Sequence, residues 1–400
     1  MTKKLTNKIT KQITLILIFI LLLSSISFAS NVGIEGEVRS YLLGDFETGK
    51  ILEEYNIDKP LEVASITKLM TYLVVMDEVS SGHISLKDAV YIDEEVANTG
   101  GSSFNLREGE IFPVETLLES LLIVSANDSA VALAKHAAGN TADFVNMMNE
   151  KANELNLKCT NYLNPTGFPE EYGQNMMSTR DIFVLSRYIL ENYPEILDIT
   201  SKSCMDIENR EFLNENTNPL LGEINGVDGL KTGFTNKAGN CLVSTANIVG
   251  GIDEGDLRFI SITMGANTME KRKELSKILL EYGISNYKNE RIFSKDEAID
   301  TLYFPKGRKT EVEVYPTLDG YMIVKAGDDI YNDIVYNEEV KLPLRAGDEV
   351  GRVILYNDDE ILDEYPLEVR EDVKKANFII MIGRYLKQFI IFIGSLFTKR

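Results

Sequence analysis

The sequence of 400 residues predicts an α+β protein, in which an antiparallel sheet carries a helical subdomain and precedes a small all-β domain and an amphipathic helix. Three observations predict this fold. Strand-like alternation occurs on both sides of a long stretch of helical periodicity, short strands alternate with turns from residue 291 to residue 370, and the last residues place apolar side chains on one helical face. A β–helical–β order indicates one sheet built from both ends of the first domain.

The composition excludes several classes of function. With 62 acidic and 41 basic residues the formal charge is −21, which argues against a nucleic-acid-binding protein because such proteins need a basic face. The two histidines, His83 and His136, make a zinc hydrolase improbable and leave little room for a Ser-His-Asp triad. Catalysis must therefore use serine, lysine, asparagine or carboxylate side chains, and no metal or other cofactor is expected.

Residues 1–29 have the pattern of a secretory signal peptide. A lysine-rich start precedes an apolar run from Ile13 to Leu23, and the small residues Ser27 and Ala29 suit cleavage after Ala29. The alternative is an uncleaved anchor helix, for which the run falls short of the ~20 apolar residues that span a bilayer. The preferred interpretation is therefore export of the mature chain.

The first domain, 30–288, begins with a predicted hairpin over 36–55, with its turn at 47–50. Its other predicted elements are helices over Ile66–Val79, Val114–Val124, Ser129–Ala138, Ala142–Leu155 and Glu270–Glu281, and strands over Cys241–Ile248 and Phe259–Met264. The composition changes near residue 290. Short alternating runs separated by turns then predict a small antiparallel β domain over 289–370.

The last segment, 371–400, predicts an amphipathic helix that lies on a membrane surface. Its apolar face is formed by Phe378, Ile382, Tyr385, Phe389, Ile393 and Leu396, and its polar face by Asn377, Arg384, Lys387, Gln388 and Ser395. A spanning helix would bury Arg384 and Lys387 near the middle of the bilayer, whereas an interfacial helix directs them towards anionic head groups. The alternative is a helix packed against its own domain.

The segment Ser65-Ile66-Thr67-Lys68 opens the first predicted helix and is the first candidate for chemistry. At positions i and i+3 the hydroxyl and the amine lie on the same helical face, one turn apart. The helix dipole favours a developing alkoxide at Ser65. Apolar neighbours disfavour the charged form of Lys68, so this lysine can act as a base without a histidine.

Two further motifs, Ser125-Ala126-Asn127 and Lys231-Thr232-Gly233, follow in the chain. Each short motif is weak alone, because 285–288 repeats the first pattern and 103–105 repeats the second. The third motif occurs once, just before a strand, and its glycine lets the backbone approach a ligand. Ser-x-x-Lys, Ser-x-Asn and Lys-Thr-Gly in this order form the active-site set of serine acyl-enzymes that handle penicillin-like substrates.

The chain resembles the low-molecular-mass penicillin-binding proteins, the serine-type D-alanyl-D-alanine carboxypeptidase family, over nearly the whole mature chain. The similar segments are Ala64–Thr71, Gly101–Ser103 with Gly109-Glu110, Leu121–Ala130 and Asp228–Gly239. The resemblance implies a penicillin-binding or β-lactamase-like transpeptidase fold, in which 30–288 is the catalytic acyl-serine DD-peptidase domain. The family often has proline and histidine at the positions that are Val63 and Asn175 here.

The resemblance also implies a substrate and a role for each site residue. The substrate is a peptidoglycan stem peptide that ends in D-Ala-D-Ala, and β-lactam antibiotics bind covalently to the same site. The implied catalytic residues are the nucleophile Ser65, its base Lys68, the proton relay Ser125, Asn127 as the residue that orients the substrate amide, and Lys231 as the support of Ser125. The implied substrate-binding residues are Lys231, Thr232, Gly233, Phe234 and Arg272.

The resemblance also implies an oxyanion hole and a second contact for the substrate carboxylate. The backbone N–H groups of Ser65 and Phe234 would form the oxyanion hole. Arg272 would be a second contact for the terminal carboxylate of the substrate. The alternative for Arg272 is a surface cation between Lys271 and Lys273 on the helix.

Three other functions share parts of the pattern. A class A β-lactamase uses the same motifs and also a carboxylate base in Glu-x-x-Leu-Asn, but the nearest string, 152–156, has alanine in the glutamate position. A DD-endopeptidase acting on cross-links has the same machinery, and a catalytically silent cell-wall scaffold is the third alternative. The preferred function is a DD-carboxypeptidase, exported to the outer face of the bacterial cytoplasmic membrane and held there peripherally by its C-terminal helix.

Overall fold

The computed structural model describes residues 32–207, 210–251, 253–328, 330–357 and 360–397. The predicted signal peptide, 1–29, lies outside the described residues. The elements given below are those of the described part of the chain.

The described residues contain every helix that the periodicity predicted and three helices that were not predicted individually, Glu94–Ala97, Thr179–Asn192 and Ile196–Thr200. Their bounds are α1 Lys68–Ser80, α2 Glu94–Ala97, α3 Val114–Ile123, α4 Asn127–Ala138, α5 Thr141–Glu154, α6 Thr179–Asn192, α7 Ile196–Thr200, α8 Met269–Asn286 and α9 Phe378–Phe397. The predicted end of α8 at Glu281 is wrong, because the helix continues to Asn286. Gly283 is a weak helix former, but a Cβ at this position would lie 2.7 Å from Leu43. Packing of α8 on the sheet thus outweighs local propensity.

The long strands lie before and after this helical stretch, and three short strands, Ala89–Tyr91, Ile111–Pro113 and Met176–Met177, lie within it. Their bounds are β1 Ser40–Asp45, β2 Ile51–Tyr55, β3 Leu61–Glu62, β4 Ala89–Tyr91, β5 Ile111–Pro113, β6 Met176–Met177, β7 Cys204–Ile207, β8 Phe212–Glu215, β9 Val227–Thr235, β10 Gly239–Ile248, β11 Glu254–Gly255, β12 Leu257–Ala266, β13 Tyr287–Phe293, β14 Asp300–Tyr303, β15 Glu311–Pro316, β16 Gly320–Lys325, β17 Tyr331–Tyr336, β18 Glu349–Asn357 and β19 Glu360–Val369. The predicted hairpin is present as the antiparallel pair β1 and β2.

The central sheet has the strand order β2-β1-β12-β10-β9 and is antiparallel. Ser40 pairs with Met264 and Asp45 with Phe259, so both ends of the first domain share this sheet, as predicted. Every residue of β1 is buried because the sheet is covered on both faces. Leu42 packs in the core of the helical subdomain, whereas Leu43 packs in the core that contains α8.

The second domain contains the sheet β14-β15-β19-β18-β17, and another sheet, β11-β13-β16, combines β11 of the first domain with β16 of the second. In β15 buried and exposed residues alternate, and Val312 and Val314 enter a core with Val353 and Leu367. β13 pairs with β11 on one side and β16 on the other, so this strand joins the two domains. The two domains are therefore linked by hydrogen bonds as well as by the chain.

The predicted C-terminal helix is present as α9, which begins at Phe378. The residues before it belong to the β domain, since Val373 is buried and exchanges hydrogen bonds with Leu344. Many apolar side chains of α9 are exposed, including those of Phe378, Ile379, Tyr385, Leu386, Phe389 and Ile390. None of the described helices combines the length and the apolar character that a membrane span requires.

Candidate active site

Ser65 lies in a 3-10 turn, Ala64–Thr67, directly before α1. Ala64 has φ +48°, a left-handed conformation that residues with a side chain rarely adopt, so this turn is strained. Strand β9 packs directly against it. A Cβ on Gly233 would lie 3.0 Å from the Val63 carbonyl oxygen and 3.2 Å from the Ser65 nitrogen. The glycine of the third motif is therefore what lets β9 approach Ser65.

The Lys68 side chain joins the first two motifs. Its Nζ lies 2.9 Å from Ser65 Oγ, 2.7 Å from Asn127 Oδ1 and 2.9 Å from the carbonyl oxygen of Thr166. A neutral amine has two N–H donors, which satisfy the amide oxygen and the carbonyl, and one lone pair. That lone pair is then directed at the Ser65 hydroxyl, which is the geometry of a general base.

The electrostatic environment favours this neutral form of Lys68. The side chain is fully buried, and this burial lowers its pKa well below the usual range of a lysine. The nearby charge of Lys231 lowers the pKa of Lys68 further, while the Asp128 carboxylate opposes the shift. Desolvation is the dominant effect, because the charged form loses more solvation than the neutral form.

Ser125 and Asn127 lie in the short connection between α3 and α4 and at the start of α4. Ser125 has φ +61° and is 5% exposed, so the backbone holds it in an uncommon conformation at the rim of the buried site. The Asn127 Nδ2 donates to the Gly100 carbonyl at 2.7 Å, and its backbone nitrogen donates to the Ser102 carbonyl at 2.7 Å. Asn127 is thus fixed on one side by this loop and on the other by Lys68.

Lys231 reaches the same site from β9 and is 1% exposed. Burial, together with the charge of Arg272, lowers the pKa of Lys231 to about 7. Its Nζ donates to the Thr232 carbonyl at 2.9 Å, and among the hydrogen bonds of the described residues none joins it to Ser125. The family resemblance implied that Lys231 supports Ser125. Among the described residues this support is not a direct hydrogen bond.

Arg272 is buried in α8, with 8% exposure, and its Nε has no hydrogen-bond partner in the described part of the chain. Its Nη2 donates to the Thr217 carbonyl at 3.4 Å, while the Thr217 hydroxyl pairs with Thr232 Oγ1 at 2.8 Å. The sequence neighbours Lys271 and Lys273 instead form ion pairs at the surface. The surface-cation alternative is thus wrong for Arg272, which is linked through Thr217 to Thr232 of the third motif.

Two known protein families match the two domains of this chain. A family model described as D-alanyl-D-alanine carboxypeptidase matches residues 28–268, and one described as the C-terminal domain of penicillin-binding protein 5 matches residues 287–375. The chain belongs to the D-alanyl-D-alanine carboxypeptidase family. It is therefore a serine peptidase of the low-molecular-mass penicillin-binding protein family, with the fold that the sequence predicted.

Individual relatives of this carboxypeptidase match over most of their length. The D-alanyl-D-alanine carboxypeptidase DacF of Bacillus subtilis is 31% identical over 354 residues, which cover 87% of this chain and 89% of that protein. The crystal structure of penicillin-binding protein 5 from Haemophilus influenzae has a TM-score of 0.66 and 29% identity, and the match covers 85% of this chain and 98% of that one. Penicillin-binding protein D2 from Listeria monocytogenes, solved in its ampicillin-bound form, has a TM-score of 0.56 and 32% identity, with 62% of this chain and 97% of that one covered.

Thr166 is a site residue of the carboxypeptidase that the sequence analysis missed. Its carbonyl accepts the Lys68 hydrogen bond because the turn 164–167 packs against the turn Ala64–Thr67. Gly167 has φ +76°, and a Cβ there would lie 1.8 Å from the Ala64 carbonyl oxygen, so only glycine fits. The Asn-Pro-Thr-Gly string is a turn signal that could have drawn attention to this segment.

Asp128 is a second missed residue. It is 1% exposed, and its carboxylate accepts hydrogen bonds from the Ser103 hydroxyl at 2.6 Å and from the backbone nitrogens of Phe104 and Leu106 at 3.0 Å. These bonds fix the loop that holds Asn127. The repeat of the second motif at Ser103–Asn105 is thus a turn that is held by Asp128, the residue that directly follows the motif 125–127.

Proposed function

We propose that this carboxypeptidase removes the terminal D-alanine from peptidoglycan stem pentapeptides through an acyl-enzyme on Ser65. The observation that carries the assignment is the desolvated Lys68 amine, 2.9 Å from the Ser65 hydroxyl. The neutral amine takes the hydroxyl proton while Ser65 Oγ attacks the carbonyl carbon between the two D-alanines. The C–N bond then breaks, and water hydrolyses the resulting ester to regenerate Ser65.

Ser125 and two backbone groups complete this proposed reaction. Ser125 relays a proton to the nitrogen of the leaving D-alanine, a role supported by its fixed position between α3 and α4. The backbone N–H groups of Ser65 and Phe234 stabilise the oxyanion, and each such donor is worth about 3 kcal/mol. The close contact of Gly233 with the Ser65 nitrogen supports this arrangement, because it places the backbone of β9 beside the turn that contains Ser65.

The terminal carboxylate of the substrate is bound, in this proposal, by Lys231, Thr232 and Arg272. Two buried cations next to each other are unfavourable unless an anion lies between or beside them. The buried, unpaired Nε of Arg272 supports an anion site here. Asn127 uses its amide to orient the substrate backbone, and Gly100 holds that amide in place.

The reaction itself is tested by the release of free D-alanine from a soluble stem pentapeptide. We expect this release to be faster than the cleavage of a cross-linked dimer, because the paired cations recognise a single terminal carboxylate. Faster cleavage of the dimer would favour a DD-endopeptidase. Rapid turnover of nitrocefin, in place of a long-lived adduct, would favour a β-lactamase.

The pH dependence of kcat/KM tests the role of Lys231. Lys231 is charged below its pKa of about 7 and attracts the carboxylate, whereas above that pH it becomes neutral. We therefore expect kcat/KM for the pentapeptide to fall as the pH rises through about 7, because kcat/KM reports the pKa values of the free enzyme. In Lys231→Arg the guanidinium stays charged, so this alkaline limb should move to higher pH even if the plateau is reduced.

The matched control for this profile is Lys271→Arg, which changes an exposed lysine close to Arg272 in the chain. This control should leave the profile unchanged, since Lys271 lies in a surface ion pair with Glu37. An alkaline limb that stays in place in Lys231→Arg would show that another group titrates there.

We also propose that the mature chain is exported and held on the outer face of the cytoplasmic membrane by α9. The exposed apolar side chains of α9 support burial of one helical face in the lipid interface. The body of the protein, 30–372, has 31 basic and 62 acidic residues, so an anionic surface repels it outward. The signal peptide in 1–29 accounts for export in this proposal.

A chain that ends at Asn377 tests the membrane proposal. We expect it to move from the membrane fraction to the soluble fraction and to keep its activity on the soluble pentapeptide. The cut is placed here because Val373 is buried in the β domain and Ala376 donates to the Lys306 carbonyl, so an earlier cut would disturb that domain. As a matched pair, Phe389→Ser should weaken membrane binding and Gln388→Ser should not. A truncated chain that remains membrane-bound would contradict the proposal.

A further inference from the structure

A cavity of about 550 Å³ lies where α9 leaves the β domain. Its lining includes Phe304, Lys306, Lys341, Leu342, Lys375 and Met381. The volume lies in the range of small-ligand sites. The lining joins apolar side chains to three lysines, and none of these lining residues is acidic. The cavity thus has the chemistry of a site for an anionic amphiphile.

Pairing within the β domain brings the three lysines together from separate segments. Ala376 donates to the Lys306 carbonyl at 2.9 Å, which places Lys306 beside Lys375. In the described part of the chain neither of these lysines forms an ion pair with an acid. Lys341 pairs with Glu339 at 3.0 Å, but both side chains are largely exposed. All three lysines are exposed and line the same cavity, so their like charges attract an anion to it.

The cavity is fixed to the first turns of α9. The Arg384 guanidinium donates to the carbonyl groups of Pro305, Gly307 and Arg308 at 3.1, 2.8 and 2.9 Å. These bonds hold α9 against the same loop that contributes Lys306. Met381 lines the cavity, whereas Phe378 and Phe389 on the same helix are exposed. The lysines therefore lie beside the helix that we propose to enter the lipid interface.

We propose that this cavity binds the head group of an anionic glycerophospholipid, with its phosphate among Lys306, Lys341 and Lys375. The glycerol and the first methylene groups lie against Phe304, Leu342 and the other apolar lining residues. This inference rests on the proposed attachment of α9 to the membrane and specifies which lipids the attachment selects. A phosphate among several lysines gains charge-assisted hydrogen bonds, and a zwitterionic head group brings a repelled ammonium to the same place.

The site is tested directly by titrating the full chain with short-chain phosphatidylglycerol below the concentration at which it forms micelles. Short-chain phosphatidylcholine with the same tails and inorganic phosphate are the comparison ligands. We expect phosphatidylglycerol to bind more tightly than both. If phosphatidylcholine binds as tightly as phosphatidylglycerol, the site is apolar and does not select charge. If inorganic phosphate binds as tightly, the site binds anions without recognising the rest of the lipid. Either result overturns the proposal without bearing on membrane attachment.

The matched variants are two triple substitutions in the same region. Lys306→Ala, Lys341→Ala and Lys375→Ala remove the lysines that line the cavity, whereas Lys309→Ala, Lys374→Ala and Lys387→Ala remove neighbours outside it. A hydrogen bond to a charged group is worth about tenfold in affinity, so the first variant should lose at least about tenfold in affinity for phosphatidylglycerol. The second should lose little affinity for the short-chain lipid. Equal losses in both variants would indicate diffuse electrostatic attraction and overturn the site.

Two further measurements separate a damaged fold from a lost site. Both variants should release D-alanine from the soluble pentapeptide at the wild-type rate, since the cavity lies in the β domain. Sedimentation with vesicles of phosphatidylcholine, with and without phosphatidylglycerol, then tests the two proposals separately. Equal binding of the wild-type protein to both kinds of vesicle would support membrane attachment but overturn the lipid site. Loss of all vesicle binding in the chain that ends at Asn377 would identify α9 as the anchor.

Discussion

Ser65→Ala is expected to abolish both covalent labelling by fluorescent penicillin and the release of D-alanine. The Ser65 hydroxyl lies 2.9 Å from the Lys68 amine and is the nucleophile of the proposed reaction. Loss of a serine nucleophile in a serine peptidase costs about 10⁶ in kcat, so the remaining activity should lie below detection. Labelling is read by gel fluorescence, and mass spectrometry of the penicillin adduct locates the modified residue.

The chain supplies a matched control for this substitution in Ser285→Ala. Ser285 and Lys288 repeat the Ser-x-x-Lys spacing, but α8 ends at Asn286, so the two side chains do not share a helical face. Lys288 instead forms an ion pair with Glu254 at 2.6 Å. The control should label and hydrolyse like the wild type. An adduct that persists in Ser65→Ala, for example on Ser125, would refute the assigned nucleophile.

Lys68→Gln is expected to lower the rate of acylation by roughly 10² to 10⁴, because removal of a general base costs about this much. The glutamine amide keeps donors for the Asn127 side chain and the Thr166 carbonyl, which limits damage to the fold, but it cannot take the Ser65 proton. The rate is measured by stopped-flow acylation with penicillin, and the melting temperature is measured alongside.

Lys288→Gln is the matched control, since it makes the same change in the repeat of the motif at the surface. It should leave the acylation rate unchanged. A Lys68→Gln enzyme that acylates within tenfold of the wild type would exclude Lys68 as the base. Lys231, with its pKa near 7, would then be the residue to test.

The local features of this carboxypeptidase could be predicted from the sequence because they depend on neighbours in the chain. Apolar spacing predicted α1 and α3, and alternation predicted the β1–β2 hairpin. The i, i+3 spacing of Ser65 and Lys68 determines that their side chains share one side of the chain. The order of the three motifs then identified the family, and no single motif was sufficient for that.

The chemical state of the site was decided by tertiary structure. Lys68 obtains its two other partners from Asn127 and Thr166, which are 59 and 98 residues away in the chain. The burial that lowers the pKa of Lys68 and of Lys231 requires the packing of β9 on the nucleophile turn. No spacing rule predicts desolvation, because it depends on atoms that are distant in sequence.

Arg272 shows most clearly the difference between what the sequence determines and what the tertiary structure decides. In sequence it is one of three adjacent cations on a helix, and either a surface position or a role at the site fits that pattern. The pairing of β12 with β10 and the packing of α8 on this sheet bury Arg272, while Lys271 and Lys273 remain in surface ion pairs. The sequence by itself determined the family, the motifs and the helices and strands with clear periodicity. Only the tertiary structure decided which charges lose their solvent, because solvation depends on what the whole fold places around each side chain.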